Sequence, residues 1–243
     1  MLQADVLQGQ LAAVLFDLGG VLVHLDYASI AAEAASLGVA LDARVLPRAE
    51  GHARRAIDAR AGVLGQVPGT DATRVPDYFD DLLAGAGLDA EVRAALVPRL
   101  RARHFESNLW RVPFADAAAT IARLRAAGLR LGVVSNADGR ASAVLEAAGL
   151  ASGLDVIVDS HLEGVEKPDA EIFRRALARI GTRPERTVFV GDIVSIDIVG
   201  ARGAGLRPIL IDPAAAYGDV EVERIECLAE LFGRIGVADG GFA

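Results

Sequence analysis

Of the 25 lysines and arginines in this chain, Lys167 is the only lysine, and it stands in Glu166-Lys167-Pro168-Asp169. Lysine is a compact point charge on a flexible stem, whereas arginine is a broad planar fork. A site needing one small cation beside a phosphate or a carboxylate would reject the exchange. The groups it could serve are scattered. Asp17 lies in Phe16-Asp17-Leu18-Gly19-Gly20-Val21, Ser135 and Asn136 follow Val134, and Asp192 follows Gly191 with Asp197 five residues on. Each has a local use. Asp17 could close the turn made by Gly19 and Gly20, Ser135 and Asn136 could cap a helix beginning near Arg140, and Asp192 or Ser195 could cap the next one. Capping, however, requires neither a lysine nor a second acid at Asp197.

The apolar pattern supplies elements that could gather these groups. Short β-rich runs cover residues 13–16, 129–134, 154–158, 187–190 and 208–211. Helix-period stretches at 115–127, 140–148, 169–180 and 196–204 stand between or before the last four, and each is followed by glycine, the usual stop signal. Such alternation predicts an α/β fold, a doubly wound parallel sheet with helices on both faces. In open α/β sheets, ligands bind at the carboxyl ends of the strands. A carboxylate, a hydroxyl, an ammonium and two further carboxylates therefore converge on one edge. From residue 27 to 107 no strand pattern occurs. That stretch reads as a helical insertion with breaks near Gly38, at 62–69 and at Gly85-Ala86-Gly87. The division expected is a core of 1–26 and 108–243 and a helical cap of 27–107. The tail after Gly236 reads as frayed.

Composition narrows the class. The chain has 243 residues, 52% of them apolar, and a formal charge of −8, which fits one large domain or a core with an insertion. No basic stripe occurs, which argues against a nucleic-acid partner. No apolar run reaches the ~18 residues of a spanning helix, so no membrane partner is expected. Cys227 is the only cysteine, which leaves no internal disulfide and suits a reducing interior. The first arginine is Arg44, so the opening residues lack the positive region of a secretory signal. A cytoplasmic location is the expectation. Composition says nothing of oligomeric state.

Taken in order, Phe16-Asp17-Leu18-Gly19-Gly20-Val21, Ser135-Asn136, Lys167-Pro168 and Gly191-Asp192 through Asp197 to Ala201 resemble the haloacid dehalogenase-like (HAD) hydrolase superfamily. The resemblance covers the core, about 13–21 and 109–212. It implies a Rossmann-like core with a helical cap inserted right after the first motif, and a Mg²⁺-dependent phosphatase acting on a small phosphorylated metabolite. Asp17 would be the nucleophile, forming an aspartyl-phosphate. Asp17, Asp192 and the backbone carbonyl of Gly19 would hold Mg²⁺, with Asp197 bound directly or through water. The Ser135 hydroxyl, the Asn136 N–H, Gly20 and Lys167 would hold the phosphoryl group. Charge supports the need for cations, since a phosphomonoester adds nearly two negative charges to three carboxylates. Positioning and electrostatics would supply most of the catalysis.

One position departs from the superfamily's phosphatase pattern. Most such phosphatases carry a second aspartate two residues after the nucleophile, where this chain has Gly19. Glycine has no proton to give, and general acid–base help is typically worth about 10²–10⁴-fold. Three readings stay open: a good leaving group or transfer by solvent, a substitute such as His24 or Asp26, or a degenerate site that binds or regulates without turnover. Hydrolytic dehalogenation would also use Asp17, but on carbon and without metal, and it leaves Asp192 and Asp197 without an obvious task. In the insertion, His52, Arg54, Arg55 and Arg60 could meet an anionic substrate or form a solvated face. Asp58 is spaced to pair with Arg54, and Trp110 reads as packing at the hinge.

Overall fold

The structure, a computed structural model, describes residues 11–64 and 71–237, with side chains throughout except at 62–64 and 71–76. In chain order its strands are β1 (Ala13–Phe16), β2 (Val23–Leu25), β3 (Trp110–Pro113), β4 (Arg130–Ser135), β5 (Val156–Asp159), β6 (Thr187–Gly191), β7 (Arg207–Ile211) and β8 (Arg224–Ile225). Every residue of β1 is buried, because both faces of the sheet are covered. Successive side chains point to opposite faces. Val14 and Phe16 accordingly pack with Leu131, Val133, Val188 and Val190. Ala13 and Leu15 join Val134, Phe173 and Phe189 on the other side.

The main sheet has six strands in the order β5-β4-β1-β6-β7-β8, with every neighbouring pair parallel. The chain leaves β1 to one side through β4 and returns on the other through β6. The carboxyl end of β1 is therefore the switch point where a doubly wound sheet opens a crevice. Five of these six strands fall on the apolar runs read from the sequence. The sixth, β8, has only two residues, too few for a pattern to register.

Between β2 and β3 the chain forms α1 (Tyr27–Ser36), α2 (Leu46–Leu64), α3 (Asp71–Gly85) and α4 (Ala90–Glu106). Asp26 and Asp89 cap α1 and α4 by accepting backbone N–H groups, which satisfies donors a helix start leaves free. These helices gather Ile30, Leu46, Ala53, Ile57, Phe79, Leu82, Leu96 and Leu100 into an apolar cluster shared with Leu25, Leu109 and Ile196. Breaks occur after α1 and at Gly85 to Gly87, as expected. The expected break at 62–69 falls partly outside the described residues, and the frayed tail falls mostly outside them. The antiparallel pair β2–β3 joins the insertion to the sheet. The pairing escaped the sequence reading because its two short strands lie on opposite sides of the insertion, far apart in the chain.

After β3 the helices are α5 (Ala117–Ala126), α6 (Ala141–Ala147), α7 (Ser160–Glu163), α8 (Ala170–Ile180), α9 (Val199–Gly203) and α10 (Leu231–Ile235). The stretch expected as one helix from 196 to 204 is instead a π-turn over Val194–Ile198 followed by α9. Such turns recur at functional sites, and this one carries Asp197. No described helix is long and apolar enough to cross a membrane.

Candidate active site

The site begins where β1 stops. The Asp17 N–H donates to Val190 O at 2.8 Å, which extends the β1–β6 pairing by one residue. Its Oδ1 accepts the Leu18 N–H at 2.7 Å. Phe16 lies opposite both Val133 and Val190, so Ser135 and Asp192 emerge on the same rim.

Lys167 arrives from the loop before α8 with no accessible surface. Its Nζ lies 2.8 Å from Asp17 Oδ1 and 2.8 Å from Asp197 Oδ1. Asn136 fixes the backbone behind it. The Lys167 N–H donates to Asn136 Oδ1 at 2.8 Å, and Asn136 Nδ2 donates to Lys167 O at 2.9 Å. Burial pulls the ammonium toward neutrality, but Asp17 and Asp197 outweigh it and hold the charge. Asp197 uses its other oxygen, Oδ2, to accept the N–H groups of Asp192 and Ile193, both at 3.0 Å. It fits beneath that loop because residue 191 is glycine. A Cβ there would stand 2.3 Å from Asp197 Cβ.

Asp192 has a partner that the sequence reading assigned elsewhere. Its Oδ2 lies 2.7 Å from Nε of Arg54, on α2, and Arg54 Nη2 lies 2.8 Å from Glu50 Oε2 one turn earlier. All three are buried. Arg54 is therefore neither a solvated residue nor the partner of Asp58. Asp58 accepts the Ser195 N–H at 2.7 Å and the Tyr217 hydroxyl at 2.6 Å. Arg55 and Arg60 pair with Asp219 and Asp81, and His52 is exposed. The contact depends on Gly20, whose φ is +76°. A Cβ there would stand 2.0 Å from Asp192 Oδ2. Gly20 donates its N–H to Val23 O at 2.7 Å, so that N–H is engaged within the turn.

A divalent cation suits this arrangement. Oxygens of Asp17, Asp192 and Asp197 lie within 4.8 Å of one another, an all-oxygen set of the kind hard cations prefer. Asp192 Oδ1 is buried and has no hydrogen-bond donor. Among the described residues, the lysine and arginine partners of Asp17, Asp192, Asp197 and Glu50 are Lys167 and Arg54. When all are ionised, two negative charges are left over, the charge one divalent ion would cancel. Without it, burial lifts Asp17 to about 6 despite Lys167. Burial likewise pushes Asp192 well above the usual carboxylate range, further than Arg54 lowers it.

Asp17, Gly19, Ser135, Asn136, Lys167 and Asp192 line one cleft of about 1410 Å³. Gly20 and Asp197 stand behind its wall. His24 and Asp26 also lie outside it. His24 stacks on Tyr27, and Asp26 caps α1 and pairs with Arg111. Neither stands in for the acid missing at Gly19. The indole of Trp110 occupies that neighbourhood instead, its Cδ1 3.0 Å from where a Cβ on residue 19 would sit. Trp110 packs against Tyr78, Phe79 and His104 and also forms part of the cleft wall. His104 lines the cleft as a neutral ring, since burial pushes it down to about 4. Its Nδ1 accepts the Leu109 N–H at 3.2 Å, which leaves the proton on Nε2. Sequence reasoning passed over Glu50 and His104. The four-residue spacing of Glu50 and Arg54 was the signal for the first, while a lone histidine near a helix end gave none for the second.

Against known proteins, the chain is 40% identical over 101 residues to glyceraldehyde 3-phosphate phosphatase of Methanothermobacter thermautotrophicus, covering 41% of this chain and 45% of that one. It is 35% identical over 150 residues to the Methanopyrus kandleri protein of the same name, covering 60% and 62%. It is 34% identical over 123 residues to phosphoserine phosphatase of Thermus thermophilus, covering 49% of each. The chain thus spans about half to three fifths of the length of these curated relatives. Among solved structures it superposes on L-2-haloacid dehalogenase of Xanthobacter autotrophicus at TM-score 0.60, with 20% identity and coverage of 94% and 100%. It superposes on a HAD phosphatase of Thermococcus onnurineus at 0.56, with 24% identity and coverage of 93% and 98%. At these identities the two structures speak to fold alone. The haloacid dehalogenase-like hydrolase model matches residues 11–205, and with the doubly wound sheet and the gathered motifs this makes the chain a member of the haloacid dehalogenase-like hydrolase family.

Proposed function

We propose that the protein is a Mg²⁺-dependent phosphatase of a small phosphorylated metabolite, acting through an aspartyl-phosphate on Asp17. The observation that carries this reading is the junction at Lys167, whose ammonium touches both Asp17 and Asp197 while Asp192 stands beside them with a bare buried oxygen. Relatives named as phosphatases support it. In this reading residues 1–26 and 108–243 form the catalytic core, and 27–107 the cap that shapes the cleft.

Asp17 attacks phosphorus, the ester oxygen departs, and water later releases inorganic phosphate from the aspartyl group. Lys167 pairs with Asp17 and with the phosphoryl oxygens, so it neutralises charge where it accumulates. The Ser135 hydroxyl and the Asn136 N–H orient those oxygens. Asp17, Asp192 and the Gly19 carbonyl would hold the ion, which supplies positive charge to the phosphoryl oxygens when bound. Asp197, both of whose oxygens are engaged, holds Lys167 and the Asp192 loop in place. With Trp110 rather than an acid beside Gly19, the substrate carries a leaving group that departs with little protonation.

The test is hydrolysis of p-nitrophenyl phosphate and acetyl phosphate with and without Mg²⁺, against Asp17→Asn. Turnover by the native protein, loss with EDTA and loss in Asp17→Asn are expected. Equal rates for the two proteins overturn the reading. Single phosphorylation without turnover would mark a binding or regulatory protein. A second reading, metal-free hydrolysis at carbon, gains one observation. Arg54 and Lys167 give Asp192 and Asp197 partners without any ion, so these carboxylates are not idle in it. Release of halide from a 2-haloacid, insensitive to EDTA, would identify that chemistry.

A further inference from the structure

The contact between Arg54 and Asp192 joins the inserted helices to the carboxylate best placed to hold an ion, and it is incompletely made. Arg54 Nε lies 2.7 Å from Asp192 Oδ2, yet it makes no hydrogen bond, and neither does Arg54 Nη1. Two more buried oxygens nearby also lack donors, Asp192 Oδ1 and Glu50 Oε1. Leaving buried charged groups without partners is costly. One rearrangement relieves three of the four, Asp192 Oδ1, Glu50 Oε1 and one guanidinium nitrogen. A divalent ion takes Asp192, and the guanidinium, already bonded through Nη2 to Glu50 Oε2 at 2.8 Å, turns fully to Glu50 as a two-point pair. Arginine and carboxylate favour that geometry. Glu50 and Arg54 lie one turn apart on α2, so the exchange needs side-chain rotation rather than movement of the helix. Gly20 leaves open the space in which Arg54 Nη2 approaches, 3.3 Å from where a Cβ would stand.

We propose that Arg54 is a built-in competitor of the divalent ion, holding Asp192 in the metal-free protein and passing to Glu50 when the ion binds, so that a residue pair on the inserted helix sets metal affinity. This rests on the metal-dependent reading above. Arg54 is a positioning residue here, acting through Asp192, and Glu50 is the acceptor that draws it off. The two make opposite predictions when altered. Removing the competitor tightens metal binding. Removing the acceptor leaves Arg54 no alternative and weakens it.

The experiment titrates Mn²⁺ into the metal-stripped native protein, Arg54→Gln and Glu50→Gln, reading free Mn²⁺ by electron paramagnetic resonance and affinity by calorimetry. Arg54→Gln should bind roughly tenfold more tightly, the change expected when one buried contact of ordinary strength no longer competes. Glu50→Gln should bind several-fold more weakly. Opposite signs cannot come from a shared folding defect. Should Arg54→Gln fail to fold, Glu50→Gln decides alone by its direction. Native binding with unchanged affinity in Glu50→Gln, or with unchanged or weaker affinity in Arg54→Gln, overturns the proposal and leaves the phosphatase reading standing. Absence of Mn²⁺ binding in all three proteins overturns both.

Discussion

In the proposed reaction Asp17 is ionised when it attacks, yet it stands where ionisation is resisted. Burial lifts its carboxyl from 3.8 to about 6, Lys167 pulls it down, and Asp197 pushes it up again. The folded value lies above the unfolded one, so the folded protein binds the extra proton between about pH 4 and 6. Stability supplied by that proton is present on the acid side and lost as pH rises through about 6. For the metal-free protein this amounts to on the order of 2–3 kcal/mol. Asp192 is shifted in the same direction and adds to the slope. Urea unfolding in EDTA at pH 4.5 and 7 should therefore show the native protein losing more stability with rising pH than Asp17→Asn. Parallel curves for the two proteins would mean that the Asp17 carboxyl titrates no differently folded than unfolded.

At the scale of elements, the question is what keeps α2 seated on the sheet's rim. Asp58 answers much of it. From α2 it accepts the N–H of Ser195 at 2.7 Å, that of Val194 at 3.3 Å, and the Tyr217 hydroxyl at 2.6 Å. It thereby caps, from another element, the π-turn that carries Asp197. Hydrogen bonds to a charged group contribute about 1.5–3 kcal/mol. Asp58→Ala should cost about 2 kcal/mol and speed amide exchange at Ser195, whereas Tyr217→Phe should cost about 1 kcal/mol and leave that amide protected. Equal exchange at Ser195 in all three proteins would show that the turn is held by something else. This latch also marks the limit of what sequence discloses. The strands, the helical insertion and the rim residues follow from periodicity and from ordered motifs, which are local. The pairing of Arg54 with Asp192 and of Asp58 with Ser195 spans 138 and 137 positions, respectively, along the chain. No local rule foretells such contacts, and the nearest helical spacing misdirected Asp58 toward Arg54. Gly19 was legible as a missing acid, but not the indole that fills its surroundings.

For the whole molecule, the proposed ion would tie stability to the excess of buried acid. The chain carries a formal charge of −8, and Asp17, Asp192, Asp197 and Glu50 concentrate part of it around Lys167 and Arg54. A cation that binds only the folded state stabilises it by mass action, about 2.7 kcal/mol at a hundred times its dissociation constant. For a chain of this size that corresponds to a rise in Tm of about 5–10 °C. Diffuse screening of surface charge depends on ionic strength rather than on the ion. Saturating Mg²⁺ should thus raise the Tm of the native protein well above that in KCl of equal ionic strength, and the difference should vanish in Asp192→Asn. Loss in that variant and retention in Asp219→Asn, where the carboxylate pairs with Arg55 on an exposed surface, would locate the stabilising charge at the rim of the sheet. An equal rise with KCl, or a rise that survives Asp192→Asn, would assign it to the surface as a whole.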